Sequence, residues 1–295
     1  MHSVGMVLHP KRDSAEAVEE ILRWARRSGK TVYGIDDEVT RLRCAAVAVP
    51  ADQLAKHCDL LVSLGGDGTM LRAMRLSDGV CHPGVEPTPV LGVNLGKLGF
   101  LAEIDVPDVP AALSAIERHQ FTIEPRLAID SVLGGVTVTA FNDIATVRVP
   151  GDGAALVAVR VGGEPFVSYA ADAVVVSTPT GSTAYSFSAG GPIVAPTVDA
   201  LIVTPASPHS AYNRGVVLSL ADSVTLEVLP GSGRLAVEVD GPVGGYVVAG
   251  DQLQITARPG AARVIRLGQT TFYQRARRKL RITDSAEIAT PAAEV

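Results

Sequence analysis

The sequence predicts two joined parts: an α/β unit with a parallel sheet over residues 1–122, then a β-rich, sandwich-like unit over 123–269. Three observations lead there. Strand and helix periodicities alternate up to about residue 122, after which short Val-, Ile- and Thr-rich runs take over. A glycine-dense turn, GGDGT at 65–69, follows directly on an apolar run, at the place where open parallel sheets bind ligands. The length of 295 residues also suits two domains of roughly 150 residues each.

The elements justify this in order. Val4–Leu8 is a short apolar strand. Asp13 or Ser14 can cap a helix whose apolar positions Val18, Ile21, Leu22 and Ala25 recur at helical spacing, and Gly29 ends it. Lys30–Ile35 and Asp59–Leu64 read as the next strands, the latter running into GGDGT and a helix over Thr69–Leu76. Val90–Val93 is a fourth strand, closed by the turn NLGKLGF. Such alternation implies a Rossmann-like parallel sheet covered on both faces. Beyond it, Ala128–Leu133, Val136–Phe141, Ala155–Val161, Ala173–Ser177, Ser223–Val228, Leu235–Val239 and Gln252–Ala257 read as strands between turns. A segment at about 270–283 is expected to pack back on the first unit, and 284–295 to form a flexible tail.

Composition excludes several functions. With 47% hydrophobic and 19% charged residues the chain is not disordered, and a net charge of -5 argues against a sequence-independent grip on nucleic acid or anionic membrane. No apolar run reaches the roughly 18 residues that span a bilayer. The opening MHSVGMVLHPKRD lacks the features of a signal peptide. Cys44, Cys58 and Cys81 show no CxxC spacing, so neither disulfides nor a zinc site are indicated. A cytoplasmic protein without nucleic-acid or membrane partners is expected. The basic stretch Arg275–Arg281 reads as a solvated face.

GGDGT carries chemistry. Gly65, Gly66 and Gly68 let the backbone adopt φ > 0 and approach a ligand, while successive N–H groups before the helix, with Thr69, suit phosphate oxygens. The motif lacks the lysine of a Walker A loop, leaving neutralisation to backbone dipoles, a metal ion and Arg72. Asp67 is out of place among phosphate-cradling amides unless it meets a proton or a cation, so it is the candidate catalytic group. Asp78-Gly79 and Asp152-Gly153 read instead as ordinary turns. A second loop, STPTGSTAYSFSAGGPI at 177–193, supplies hydroxyls and bare backbone suited to a ribose or adenine edge, with a capped ST-turn as the plain alternative. Asn142-Asp143 sits in an apolar stretch and would bury one polar side chain, and Asp240-Gly241 fits a hairpin turn.

GGDGT at 65–69, NLGKLGFL at 94–101, Asn142-Asp143, the 177–193 loop, SPHS at 207–210 and Asp240-Gly241, in that order, closely resemble the NAD kinase family over about residues 1–280. The resemblance implies transfer of a phosphoryl group to the 2′-hydroxyl of the adenosine ribose of NAD, giving NADP. It implies ATP or inorganic polyphosphate as donor, Mg²⁺ or another divalent metal, and a homodimer or homotetramer. By motif matching, Asp67 would be the general base or orient the hydroxyl, with Gly68 beside it and Arg72 a basic contact. Asn142 and Asp143 would hold ribose hydroxyls and the adenine edge, and Asp172 would stand near the nicotinamide end. Thr180, Thr183, Ala184, Tyr185 and Ser188 would serve the adenine side, lined by Phe100, with Asp240 facing the site. Ala170, Ala173 and Pro242 depart from the family pattern. Two rivals are a GGDGT lipid kinase, which would want a greasy or membrane-binding face, and a non-catalytic NAD(P) sensor.

Overall fold

The computed structural model describes residues 1–78, 85–96 and 99–283. The expected tail at 284–295, Gly79, Cys81 and the middle of the NLGKLGFL turn lie outside the described residues. The first part runs β1 (Ser3–Leu8), α1 (Ala15–Ser28), β2 (Thr31–Ile35), α2 (Asp36–Leu42), β3 (Val47–Val49), β4 (Leu60–Gly65), α3 (Asp67–Asp78), β5 (Val90–Asn94), β6 (Ile104–Asp105) and α4 (Val109–Glu117). The second continues β7 (Thr122–Leu133), β8 (Val136–Ala140), β9 (Asp143–Arg148), β10 (Ala155–Val161), β11 (Glu164–Ala171) and β12 (Ala173–Ser177). After α5 (Tyr185–Ser188) come β13 (Ala200–Ala206), β14 (Val216–Ser219), β15 (Val224–Val228), β16 (Leu235–Val239), β17 (Val243–Val247), β18 (Gln252–Arg266) and α6 (Phe272–Lys279).

The first part is an α/β unit whose parallel strands lie in the order β5-β4-β1-β2-β3. Alternation along the strands feeds two cores. Leu60, Val62 and Leu64 of β4 pack with Val18, Ile21, Leu113 and Ile116 of α1 and α4. Leu61 faces the other way, onto Met70, Ala73 and Met74 of α3. Helix α1 ends as expected, with Gly29 left-handed at φ 64. Its first turn is held by Asp13, whose Oδ1 accepts from Ala15 N at 2.9 Å, whereas Ser14 makes no side-chain cap. Helix α2 has no apolar stripe, and its single buried residue is Glu38, so periodicity could not reveal it.

The second part is β-rich and antiparallel. Six strands, β14-β13-β12-β9-β16-β17, form one sheet. Its inward residues Val174, Val176, Leu201 and Val237 pack against Val157, Leu226, Leu253 and Ile255 of β10, β15 and β18, which gives the expected sandwich core. Strand β18 belongs to both parts: it pairs with β15 at one end and meets β5 in parallel at Val264↔Val90. The sequence reading ended this strand at Ala257, because Pro259-Gly260 resembles a turn. Instead the strand absorbs those residues where its register against β7 shifts between Arg258 and Ala262, with Gly260 at φ +68.

Candidate active site

In this strand order the chain leaves β1 in opposite directions toward β2 and β4, and the crevice beyond their carboxyl ends is the natural ligand site. A cavity of about 600 Å³ lies there, lined by Leu8 and His9 after β1, by Gly66, Asp67, Gly68 and Thr69 after β4, and by Arg12, Arg41, Arg72 and Arg75. The glycines of GGDGT act differently from expectation, since none of the three has a positive φ. Gly65 is required because a Cβ there would lie 2.2 Å from Thr69 Oγ1, while the positions of side chains on Gly66 and Gly68 are open. The turn is therefore a bare surface at the start of α3, where amides and the helix dipole favour an anion.

Four arginines against Asp37, Glu38 and Asp67 make the cavity positive. Burial, then Arg12, Arg41 and Lys11, push the His9 imidazole below its ordinary value. Arg41 donates to the His9 carbonyl at 3.0 Å. Arg72, a predicted site residue, is tied to Glu38, whose other oxygen accepts from Leu8 N at 2.8 Å. The Arg12 Nη1 group is buried with no partner. Arg12, Arg41 and Arg75 were missed by sequence reasoning. The rule for strand order points to the residues after β1, and Arg75 follows Arg72 at helical spacing.

Asp67 opens α3 and reaches across to the turn after β5. Its Oδ1 accepts from Phe100 N at 2.9 Å and Leu101 N at 3.0 Å. Its Oδ2 accepts from Lys279 Nζ at 2.7 Å and more weakly from Phe100 N at 3.1 Å. Gly99 makes this approach possible, because a Cβ there would lie 2.3 Å from Asp67 Oδ1. Phe100 thus meets Asp67 through its amide, and its buried ring lies beneath Lys279. The stretch 275–281 is not simply the solvated face expected: Arg275 is buried, bonded to Glu103 at 2.5 Å, and Lys279 is bound to Asp67.

A second acidic centre sits in the β-rich part. Asp240 occupies the β16–β17 hairpin at φ 52, as the hairpin reading required, and its side chain is fully buried. Its carboxylate accepts from the amides of Phe141, Asn142 and Asp143 at 3.1, 2.6 and 3.3 Å, and pairs with Arg75 at 2.8 Å. Arg75 therefore joins the cavity of the first part to the Asn142-Asp143 corner. Burial, with Asp240 and Glu238 adding negative charge, raises the Asp143 carboxyl to about 7. Burial also raises the Asp240 carboxyl, and the three amides and Arg75 counter part of that rise.

The 177–193 loop folds against this corner. Thr178 N donates to the Asn142 carbonyl at 2.9 Å, and Gly181 is indispensable because a Cβ would lie 2.1 Å from that same oxygen. Many of the loop's hydroxyls are used locally, as the plain ST-turn reading anticipated: Ser182 bonds to Pro179 and Val194, Thr183 to the Thr180 carbonyl at 3.4 Å, and Ser188 to the Ala184 carbonyl at 3.5 Å. Thr180 Oγ1 accepts from buried Arg126 at 3.0 Å. Burial, then the negative charge of Glu238, Asp172 and Asp143, pushes the Tyr185 hydroxyl above its ordinary value. Asp172 is exposed and paired with Arg148, which holds it below its ordinary value, and it has no bond to the Asp67 cluster. Of the departing positions, Ala173 is fully buried in β12, the Ala170 carbonyl accepts from His209 N at 2.7 Å, and Pro242 closes the hairpin.

Among the described residues no three His, Cys, Asp or Glu side chains converge to hold a metal. No helix among them is long and apolar enough to cross a membrane.

Comparison with known proteins now adds its weight. The ATP-NAD kinase N-terminal domain family matches residues 4–121, and the ATP-NAD kinase C-terminal domain family matches residues 141–267. NAD kinase 1 of Streptomyces avermitilis is 36% identical over 96% of this chain and 88% of its own. The NAD kinase of Heliobacterium modesticaldum is 38% identical over 95% of this chain and 99% of its own. Among solved structures, yeast NADH kinase complexed with NADH superposes with a TM-score of 0.83 at 23% identity, covering 98% of this chain and 90% of that one. An NAD kinase from Archaeoglobus fulgidus in complex with ATP gives 0.73 at 24% identity, covering 95% and 98%. The two solved structures share the fold. The two matched domains and the length of the curated likenesses go further: this chain is a phosphotransferase that belongs to the NAD kinase family.

Proposed function

We propose that the enzyme transfers the γ-phosphoryl group of ATP to the 2′-hydroxyl of the adenosine ribose of NAD, giving NADP and ADP. The observation that carries this reading is the Asp67 carboxylate: two amides saturate Oδ1, while Oδ2 lies beside a cavity lined by four arginines. The donor phosphates rest in that cavity against the GGDGT amides, with Arg12 as the partnerless cation nearest Gly66. The dinucleotide spans the corner of Asn142, Asp143 and Asp240, with Tyr185 and the turn Thr180–Ala184 beside it.

In the transfer, the ribose oxygen forms a bond to the γ-phosphorus as the bond from that phosphorus to the bridging oxygen of ADP breaks. The hydroxyl proton passes to Asp67 Oδ2 and then to solvent. A ribose hydroxyl is a poor nucleophile at neutral pH, and a positioned base typically contributes about 10²–10⁴-fold. Alignment and charge neutralisation supply the rest. A divalent ion such as Mg²⁺ fits as a passenger on the donor phosphates, since Mg²⁺ needs only one or two protein carboxylates and Asp67 lines the cavity together with Asp37 and Glu38, the last of which is tied to Arg72. Such an ion would neutralise charge on the transferring group.

The test is a donor-by-acceptor matrix on purified protein: ATP and inorganic polyphosphate against NAD and NADH, with Mg²⁺, reading NADP and NADPH. Formation of NADP from ATP is expected, and no transfer from either donor to either acceptor would refute the reading. The reading extends to a cytoplasmic homo-oligomer. Supporting this are the free thiols Cys44 and Cys58, and the exposed edge-to-face pair Phe166 and Tyr212.

A further inference from the structure

Helix α6 is built to deliver one side chain. Its start is fixed by a reciprocal capping box, with Gln274 N donating to Thr271 Oγ1 at 3.2 Å and Thr271 N donating to Gln274 Oε1 at 2.9 Å. One turn along, Arg275 is buried and donates to Glu103 Oε2 at 2.5 Å, the Thr270 carbonyl at 2.9 Å and the Phe100 carbonyl at 3.3 Å. Lys279 is four residues further on, so it shares the face of Arg275. Its ammonium sits 2.7 Å from Asp67 Oδ2 and 4.5 Å from the centroid of the Phe100 ring.

The carboxylate, the aromatic ring and the helix anchor therefore converge on one ammonium. Phe100 is common to all of it: its amide holds Asp67, its ring underlies Lys279 and its carbonyl takes Arg275. The Lys279–Asp67 pair is one-third exposed on each side, at 33% and 29%, and pairs with such exposure contribute little to stability. Its geometry has a consequence for chemistry instead. Oδ1 accepts from two amides at 2.9 and 3.0 Å, whereas Oδ2 takes Lys279 at 2.7 Å and only a longer contact from Phe100 N at 3.1 Å, so Oδ2 is the oxygen on which a hydroxyl can replace a weak contact, and Lys279 sets its direction. Two donors on one oxygen stand about 4–5 Å apart, so the ammonium also lies beside the reacting ribose oxygen. The glycine turn has no lysine of its own.

We infer that Lys279 is a positioning residue for the transfer, orienting Asp67 Oδ2 toward the acceptor hydroxyl and bringing to GGDGT, from 212 positions away, the positive charge that motif lacks. This rests on the functional reading above.

The test compares Lys279→Met and Lys279→Arg in the full-length chain, by steady-state kinetics with ATP, NAD and Mg²⁺, by thermal melting and by NAD binding. Loss of one preorganised donor is worth about 10²–10³-fold. The methionine variant should therefore lose that much in kcat, with the KM for NAD within about threefold and melting unchanged, and Lys279→Arg should recover most of the loss. A kcat within about twofold of wild type in Lys279→Met overturns the inference. So does a loss of rate that tracks a fall in melting temperature, or failure of the arginine to rescue. A readout without turnover separates this from the functional reading: acylation of lysine amines, followed by mass spectrometry. Labelling of Lys279 should rise several-fold in Asp67→Asn. If the wild type makes no NADP the functional reading falls, and unchanged labelling then overturns the Lys279 pairing as well.

Discussion

Two carboxylate centres of this molecule, linked through Arg75, are held in opposite ways. Asp67 is partly exposed and surrounded by donors: two backbone amides and an ammonium. Asp143 is buried, and the nearest charges on it are negative, Asp240 and Glu238. Donors around a carboxylate fix its direction, whereas an acidic and dry surrounding favours the protonated form. In the reading proposed above the first centre accepts the proton and the second serves as a hydrogen-bonding group, although both are aspartates, Asp67 between two glycines and Asp143 after Asn142.

The strongest attempt to break this contrast is Asp67→Asn, which keeps shape and removes the proton acceptor. Turnover should fall by about 10²–10⁴-fold, with NAD affinity by calorimetry unchanged within a few-fold. Full activity would take Asp67 out of the chemistry. Gly99→Ala leaves every charge in place but drives a methyl to 2.3 Å from Asp67 Oδ1, so the carboxylate must move. Misplacement on that scale costs about 10²-fold, and kcat should drop while melting stays near wild type.

The smallest effect sharpens the other side. Burial and neighbouring negative charge lift the Asp143 carboxyl of the folded chain to about 7, against about 3.9 for an ordinary aspartate. Between those values the native state binds the proton and the unfolded state does not, so stability falls as pH rises. The Asp143 contribution is fully present below the unfolded value and is lost as pH rises through about 7. Asp240 and Glu238 face the group with negative charge, and the Tyr185 amide offsets part of the shift. Relative to Asp143→Asn, wild type should lose stability at on the order of 1 kcal/mol per pH unit over that window. Urea unfolding from pH 4 to 8 checks this, and parallel curves for the two proteins would remove the buried-proton account.

Much of this was legible in the sequence where the signal is local. Strand-to-turn-to-helix at 60–78 needs only an apolar run followed by GGDGT, and Leu235–Val239 with Asp240-Gly241 is a hairpin by its residues alone. Helix α2 was not legible, because it buries a glutamate rather than an apolar stripe. The length of β18 was hidden by Pro259-Gly260, which mimics a turn and is a bulge. At the site, Asp67 stood out as an acid among glycines, and the resemblance supplied Asn142, Asp143 and the 177–193 loop. The partners of Lys279 and Arg75 could not be read, since each acts across more than 160 positions, and the basic run holding Lys279 looks the same whether it faces solvent or a carboxylate.

Strand β18, fifteen residues long, is hydrogen-bonded into both halves. Backbone pairing across the seam ties the halves together, so closing over a ligand is expected from loops rather than from jaws. It also means that neither half can melt without stripping the other of an edge, so the chain should come apart as one cooperative unit.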